Sequence, residues 1–325
     1  MSSPLRRFGW AAVVLLIGAG ALAGCGGSSG SSGDANQLVV GIPPVVEIGD
    51  LYVAQSQGLF GKRGLTVSIH DINGGAQLVP ALQSDALQVG QSNLVSVLQA
   101  QQQKLNLKCF TGAYTSPSGP ELSLLVSPKD AAITTPAGLA GKTIAVNTLA
   151  NSNQLVADAY LAKAGVDPST VHFVALAYPD MPGALAAGRV NAAITDEPFT
   201  TMAHQQGSKI LVAQPDSAIA PHPSYPCWVA TSSWLSAHRQ QAAEFVAALT
   251  EADAYMAAHP TYLSSILPKY TSVTAALAKM VVLPNFSTSL TVADVQPWSA
   301  AAAKFHITKE TVEPSSILDI VQPAK

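Results

Sequence analysis

Two stretches decide how this chain folds. The first is LVVGIPPVVEIGDLYVAQSQGLFGKRGLTVSIHDINGGAQLVPALQSDALQVG, Leu38 to Gly90. The second is KTIAVNTLANSNQLVADAYLAKAGVDPSTVHFVALAYPDMPGALAAGRVNAAI, Lys142 to Ile194. Each runs from a short apolar strand through a polar loop to a helix ended near Gly. A second strand, a Gly-bearing loop, a helix and a third strand follow. Ala81-Leu82 matches Ala184-Leu185, and Leu87 falls where Val190 does. Strand–helix alternation at this spacing predicts two α/β lobes, each with a mostly parallel sheet, and a cleft between them.

Outward from these copies, the first lobe is expected to continue through a helix capped by Ser92 or Asn93 and a strand at Leu107 to Phe110. Glu121 to Ser127 is read as the strand that crosses to the second lobe. Tyr225 to Thr231 is read as the return. Beyond it the pattern is helical, with segments at 233–238, 240–258, 262–267, 273–282, 291–304 and 313–321, broken by Pro260, Pro268 and Pro284. These helices are expected to complete the first lobe. The boundaries are then 37–120 for the first part of lobe 1, 121–230 for lobe 2 with the crossover strands, and 231–325 for the rest of lobe 1.

The N-terminus reads as targeting sequence. Arg6 and Arg7 form a charged start, Phe8 to Leu22 an apolar run, and Leu22-Ala23-Gly24-Cys25 closes it. Residues 1–24 are expected to be a signal peptide. Residues 25–36 form a tether whose Gly26 to Gly33 (GGSSGSSG) has no side chains for a core. The chain has 325 residues, 48 % hydrophobic and only 11 % charged, with a formal net charge of −3. That composition is globular, and no basic stretch suits nucleic acid. Past the leader, Cys109 and Cys227 remain, either as a disulfide or as two separately buried thiols.

In open α/β sheets ligands bind beyond the C-terminal ends of strands, where helix N-termini point free N–H groups. That selects Pro43 to Asp50, Asn73 to Gln77, Gln91 to Asn93, Asn147 to Asn153, Tyr178 to Met181 and Thr195 to Phe199, with Tyr114 to Pro120 beside them. The ligand contacts expected are Val46, Glu47 and Asp50; Gly74, Gly75 and Ala76; Gln91, Ser92 and Asn93; Thr115; Asn147, Asn151, Ser152 and Asn153; Tyr178; Asp196 and Glu197; and Trp228. These loops hold amides, hydroxyls, glycines and carboxylates, but no Lys or Arg. The carboxylates admit two readings. Asp50 and Asp180 suit helix caps and Glu47 suits solvent, against ligand contact as the other reading, while Asp196-Glu197, just before a Pro-started helix, suits either a cap or a ligand amine. Tyr178 and Trp228 are the aromatic walls expected for an organic ligand. Motifs for a serine nucleophile, a phosphate loop or a metal site are absent from the sequence, so no catalytic residue, metal or cofactor is expected.

Several segments resemble a known family. Leu-Ala-Gly-Cys is similar to the bacterial lipobox. Leu51-Tyr52-Val53-Ala54, Gly58-Leu59-Phe60, Gly64-Leu65-Thr66-Val67, Asn73-Gly74-Gly75-Ala76, Leu139 to Val146 and Glu197-Pro198-Phe199 resemble the substrate-binding lipoproteins of bacterial ABC importers. The subgroup is the one for nitrate, sulfonate, taurine and thiamine-pyrimidine precursors. The resemblance covers nearly the whole mature chain. It implies a bilobed periplasmic-binding-protein type II fold, with two parallel-sheet lobes joined by two crossover strands. It also implies a lipid on Cys25, a monomer held at the extracytoplasmic face of the cell membrane, a small-molecule solute, and ABC permease subunits as partners.

A sulfonate or taurine-like solute is the first expectation, and a pyrimidine or amine nitrogen compound the second. The missing basic residues disfavour bare nitrate. A thiamine-pyrimidine biosynthetic enzyme shares the fold, but it requires a cofactor lysine and a Cys-rich motif that this sequence lacks. An anchored scaffold with no ligand is the third class.

Overall fold

The computed structural model describes residues 36–116, 122–221, 223–224 and 226–325. The leader, Cys25, the tether up to residue 35, residues 117–120 of the Tyr114 to Pro120 stretch, and the residues Glu121 and Tyr225 of the expected crossings lie outside the described residues. The chain begins with β1 (Gln37–Ile42), α1 (Gly49–Ser56), α2 (Leu59–Lys62), β2 (Thr66–Asp71), α3 (Gly75–Gln83), β3 (Val89–Asn93), α4 (Leu94–Gln102) and β4 (Leu107–Gly112). A two-residue strand, β5 (Tyr114–Thr115), ends this part. The second part is β6 (Ser123–Val126), β7 (Thr143–Val146), α5 (Ser152–Lys163), β8 (His172–Ala175), α6 (Met181–Ala187), β9 (Ala192–Thr195), α7 (Phe199–Gln205) and β10 (Lys209–Ala213). The return is β11 (Pro226–Thr231), α8 (Ser232–Ala237), α9 (Arg239–Ala258), α10 (Tyr262–Tyr270), β12 (Asn285–Phe286) and α11 (Val292–Lys304).

Two five-stranded sheets result, with orders β2-β1-β3-β11-β4 and β8-β7-β9-β6-β10. The orders are the same if the inserted strand is set aside. In each sheet the outer partners of the first strand pair parallel, and one strand runs antiparallel. That strand, β6 or β11, is the one laid down just after the chain changes sheet. Both are wholly buried. Leu82 and Leu185 fill equivalent core positions, as do Leu87 and Val190. The repeat read in the sequence is therefore a repeat of packing.

Helices α9 and α10 pack on α1, and α2 also meets α9. The aromatic core there is continuous. Phe245 of α9 stacks on Phe60 at 5.4 Å and meets Trp228 edge-on at 5.2 Å. Cys109 and Cys227, on the paired strands β4 and β11, are joined by a disulfide.

Three expectations are corrected. Residues 273–282 do not form a helix. Only Leu277–Lys279 makes a 3₁₀ turn, because the chain is drawn out to reach β5, where Asn285 pairs with Thr115 and Phe286 with Tyr114. Residues 313–321 likewise give only a 3₁₀ turn, Pro314–Ile317. Their N–H groups go instead to the edge of β4, from Asp319 to the Cys109 carbonyl at 2.9 Å and from Val321 to Phe110 at 2.8 Å. Such edge pairing satisfies backbone groups that a lone C-terminal helix turn would leave open. Asp50 is not the cap of α1. A 3₁₀ turn, Val46–Ile48, runs straight into the helix and places Asp50 inside it.

Asp50 is fully buried. Its Oδ1 accepts the Leu51 N–H at 2.7 Å, and Trp228 Nε1 approaches Oδ2 at 3.4 Å. Burial pushes its carboxyl up to about 7. Asp253, on α9, is pushed up to about 8 by burial and by Asp50, and its Oδ1 has no hydrogen-bond partner. Each carboxyl keeps its proton in the fold over a range where the unfolded chain, at the ordinary 3.8, has lost it. Their stabilisation is whole below about pH 4 and is lost as pH rises through 7 and 8. Asp253→Asn is therefore expected to gain on the wild type by roughly 1–3 kcal/mol between pH 5 and 8. Urea titrations at both pH values check this, and a gap that stays constant with pH would refute the upward shift of the Asp253 carboxyl.

Candidate functional site

The C-terminal ends of the strands of both sheets meet at a small cavity, with about 40 Å³ in which the centre of a water can move. The first lobe contributes Pro43, Val45 and Glu47 from the loop after β1, Gly74 and Gly75 before α3, and Gln91, Ser92 and Asn93. The second contributes Asn147 after β7, Ser152 at the start of α5, Tyr178, and Asp196 after β9. Tyr114 and Pro226 complete the wall where the chain passes between the lobes. None of these lining residues is Lys, Arg, His or Cys.

Local sequence explains the donors. Gly74 sits at φ 80°, in the left-handed region that a side chain rarely adopts. A Cβ on Gly75 would fall 2.2 Å from Ser96 Oγ. Two glycines thus let the backbone at the N-terminus of α3 face the cavity. Asn151 caps α5, accepting the Ser152 N–H at 2.8 Å, so Ser152 presents the N-terminal end of that helix. Both helix ends bring positive dipole to the cavity. Asn93 caps α4 through the Ser96 N–H at 2.9 Å. Gln91, Ser92 and Asn93 are not a loop, as the sequence implied, but the last turn-free residues of β3.

Two buried acids line the cavity, Glu47 at 1 % exposed and Asp196 at 5 %. Burial pushes the Asp196 carboxyl up to about 7. Tyr178 and Asn153 hydrogen bond to it and oppose that rise, while Asp216 and Glu197 add to it. Asn153 Nδ2 also donates to the Tyr178 hydroxyl at 2.9 Å. The Tyr178 ring lies parallel to Phe199 at 6.0 Å. One Asp196 oxygen, Oδ1, takes no hydrogen bond within the protein, and neither does Asn147 Oδ1.

Glu197 faces elsewhere. Its Oε2 accepts the Thr201 N–H at 3.1 Å, and its Oε1 accepts the Thr201 hydroxyl at 2.7 Å and the Val282 N–H at 3.1 Å. Its backbone is also used. The Val46 N–H donates to the Glu197 carbonyl at 3.0 Å, and the Glu197 N–H donates to Glu47 Oε1 at 3.1 Å. Burial raises its carboxyl above the usual range while these donors pull it back. Glu197 thus ties α7 of the second lobe to the β1–α1 loop and the C-terminal segment of the first. A second tie lies across α4, where Asn151 Nδ2 donates to Ser96 Oγ at 2.9 Å and Gln99 Nε2 to the Ala150 carbonyl at 2.7 Å.

Of the expected contacts, Glu47, Gly74, Gly75, Gln91, Ser92, Asn93, Asn147, Ser152, Tyr178 and Asp196 line the cavity. The others do not. Val46 and Glu197 bind each other, and Asp50 and Trp228 lie in the first-lobe core. Ala76 and Asn151 border a neighbouring groove. Thr115 pairs with β12, and Asn153 stands behind Tyr178. Trp228 lies on β11, which is buried along its whole length and shows no alternation from which a face could be read in the sequence. Pro43, Val45, Tyr114 and Pro226 were not anticipated as contacts. Pro43, Val45 and Tyr114 fall within loops singled out from the sequence, so position alone could have found them. Among the described residues no group of His, Cys, Asp and Glu is arranged to hold a metal ion, and no helix is long and apolar enough to cross a membrane.

Several solved structures share this architecture. The alkanesulfonate-binding protein SsuA from Xanthomonas axonopodis pv. citri, bound to MOPS, superposes with a TM-score of 0.72 at 19 % identity, over 87 % of this chain and 96 % of that one. The periplasmic aliphatic sulphonate binding protein SsuA from Escherichia coli gives 0.73 at 19 %, over 89 % and 94 %. The periplasmic nitrate-binding protein NrtA from Synechocystis PCC 6803 gives 0.67 at 10 %, over 84 % and 80 %. At these identities the likeness is one of fold, that of periplasmic binding proteins. No curated protein sequence matches the chain. The profile of the family described as NMT1/THI5 like matches residues 46–262, which is more than half of the chain and spans both sheets, and the chain belongs to that family.

Proposed function

We propose that this protein is the solute-binding receptor of a bacterial ABC importer, anchored by a lipid on Cys25 to the extracytoplasmic face of the cell membrane. It acts as a monomer and catalyses no reaction. It hands a small organic solute to the permease subunits. The observation that carries this reading is the composition of the cavity wall, to which strand-end loops of both lobes contribute. A solute there is enclosed only when the lobes meet, so binding and closure are one event. Among the described residues the wall contains none of the Lys, His or Cys side chains that covalent or acid–base chemistry would draw on.

The first solute class is a sulfonate of the taurine type. Its oxygens suit the helix N-termini at Gly75 and Ser152 and the amide and hydroxyl donors of Gln91, Ser92 and Asn93. A pyrimidine or amine nitrogen compound is the second reading, and Asp196 is the observation that favours it.

A panel of sulfonates, amines, pyrimidines and nitrate should contain at least one compound that raises the melting temperature of the mature domain. At about 100 times its dissociation constant it adds about 2.7 kcal/mol. A flat response across the panel would remove the main support for a receptor. Lipidation is read separately. Cells expressing the full chain should incorporate labelled fatty acid, and Cys25→Ser should abolish the label, whereas equal labelling of both would exclude the anchor. The closure argument also has its own variant. Glu197→Ala leaves the Thr201 and Val282 N–H groups without their acceptor, at a cost of about 2–4 kcal/mol. It should enlarge the radius of gyration in solution scattering and weaken any solute found by the panel. Unchanged scattering and affinity would show that Glu197 does not hold the lobes together.

A further inference from the structure

A second pocket lies on the seam between the lobes, and none of its lining residues lines the strand-end cavity. The second lobe supplies Gln154 and Asp158 of α5, the turn at 167–169, and Phe173 of β8. The first supplies Lys304, Phe305 and His306, where α11 ends. The pocket has about 390 Å³ in which the centre of a water can move, against about 40 Å³ at the strand ends. That is room for a molecule of amino-acid size.

Local sequence gives the pocket one basic and one acidic wall. After α11, His306 takes φ 57°, the left-handed position past a helix end where Gly is usual. Lys304 Nζ lies 5.2 Å from the centre of the Phe305 ring, within cation–π reach. Opposite, Asp158 lines the pocket although it is only 6 % exposed. Its one donor among the described residues is Gln154, a turn earlier on α5, whereas a carboxylate can accept about four hydrogen bonds. Burial holds its carboxyl up to about 6, as expected of an acid with too few donors. Asp167 is exposed, and the Ser169 N–H, donating to its Oδ1 at 2.9 Å, holds its carboxyl below the usual range.

These acids and bases share a pocket and do not pair. The ion pairs among the described residues are Arg63 with Glu244 and Glu251, and Arg239 with Asp319. A lone ammonium in the pocket would meet Lys304, and a lone carboxylate would meet the two aspartates. A molecule that carries both charges suits both walls, with its carbons against Phe173 and Phe305. We infer that this pocket is a second ligand site and takes a small zwitterion of the amino-acid class, its ammonium at Asp158 and its anionic group at Lys304 and His306. The pocket is separate from the strand-end cavity, so the inference does not rest on the receptor reading.

Calorimetric titration of the mature protein at about pH 8, where Asp158 is ionised, tests this. The probes are glycine, 4-aminobutyrate and phenylalanine, each beside its two halves: methylamine and acetate, propylamine and butyrate, phenethylamine and 3-phenylpropanoate. At least one zwitterion should bind about tenfold or more tightly than either of its halves. Asp158→Asn and Lys304→Gln should each weaken it by about tenfold. Lys304 is exposed, so that variant reads binding without disturbing the fold. A half-molecule that binds as well as its zwitterion overturns the inference, as does the absence of binding by every zwitterion to wild type shown folded by its melting curve. Binding that survives both substitutions belongs to the strand-end cavity, which overturns the second site and leaves the receptor reading intact.

Discussion

Each sheet is finished by a strand that the chain lays down only after changing sheet. β11 lies antiparallel between β3 and β4, buried on both faces, and the first sheet would be split without it. β6 holds the same place between β9 and β10. This forces the chain to cross twice, and the two passages run close together. Tyr114 and Pro226, one on each passage, both reach the cavity. The β5–β12 ribbon and the Cys109–Cys227 disulfide reinforce the same region. The lobes are thus joined beside the site, and their strand-end loops face each other.

The second dependency is electrostatic. A chain with few charges has placed several carboxyls in its interior without basic partners. Asp50, Asp196, Glu197 and Asp253 are all raised by burial. Hydrogen-bond donors decide what each one does. Glu197 is saturated by backbone and hydroxyl donors and serves as a tie between lobes. Asp196 keeps one buried oxygen without a hydrogen-bond partner, beside the cavity that it lines. Adjacent residues of the same chemistry have different roles because one side chain turns toward α7 and the other toward the site.

Much of this was legible before any coordinates. The spacing of Gly, apolar runs and polar loops located nearly every strand and helix through Ala258, and the rule that ligands sit at strand ends pointed to the loops that do meet. What failed did so for identifiable reasons. The helical pattern of 273–282 was overridden by the pairing of 285–286 with β5, and that of 313–321 by the open edge of β4. Both are contacts between segments far apart in sequence, which local periodicity does not register. Asp50 looked like a cap because Asp before an apolar run usually is one, but the preceding 3₁₀ turn moved the helix start.

The amino-acid sequence by itself determined the two-lobed α/β plan and the chemical palette of the loops, rich in amides, hydroxyls and carboxylates and free of Lys and Arg. Those follow from periodicity and composition, which are properties of the chain alone. Only the tertiary structure decided which loop residues share a cavity and which are spent elsewhere. Glu47 and Asp196 line it, Glu197 is taken by Val282, and Trp228 is taken by Phe245 and Asp50. A side chain's role here depends on which partner packs against it. The deciding partners, Val282 for Glu197 and Asp50 and Phe245 for Trp228, come from segments far away in the chain, so the local sequence carries no record of them.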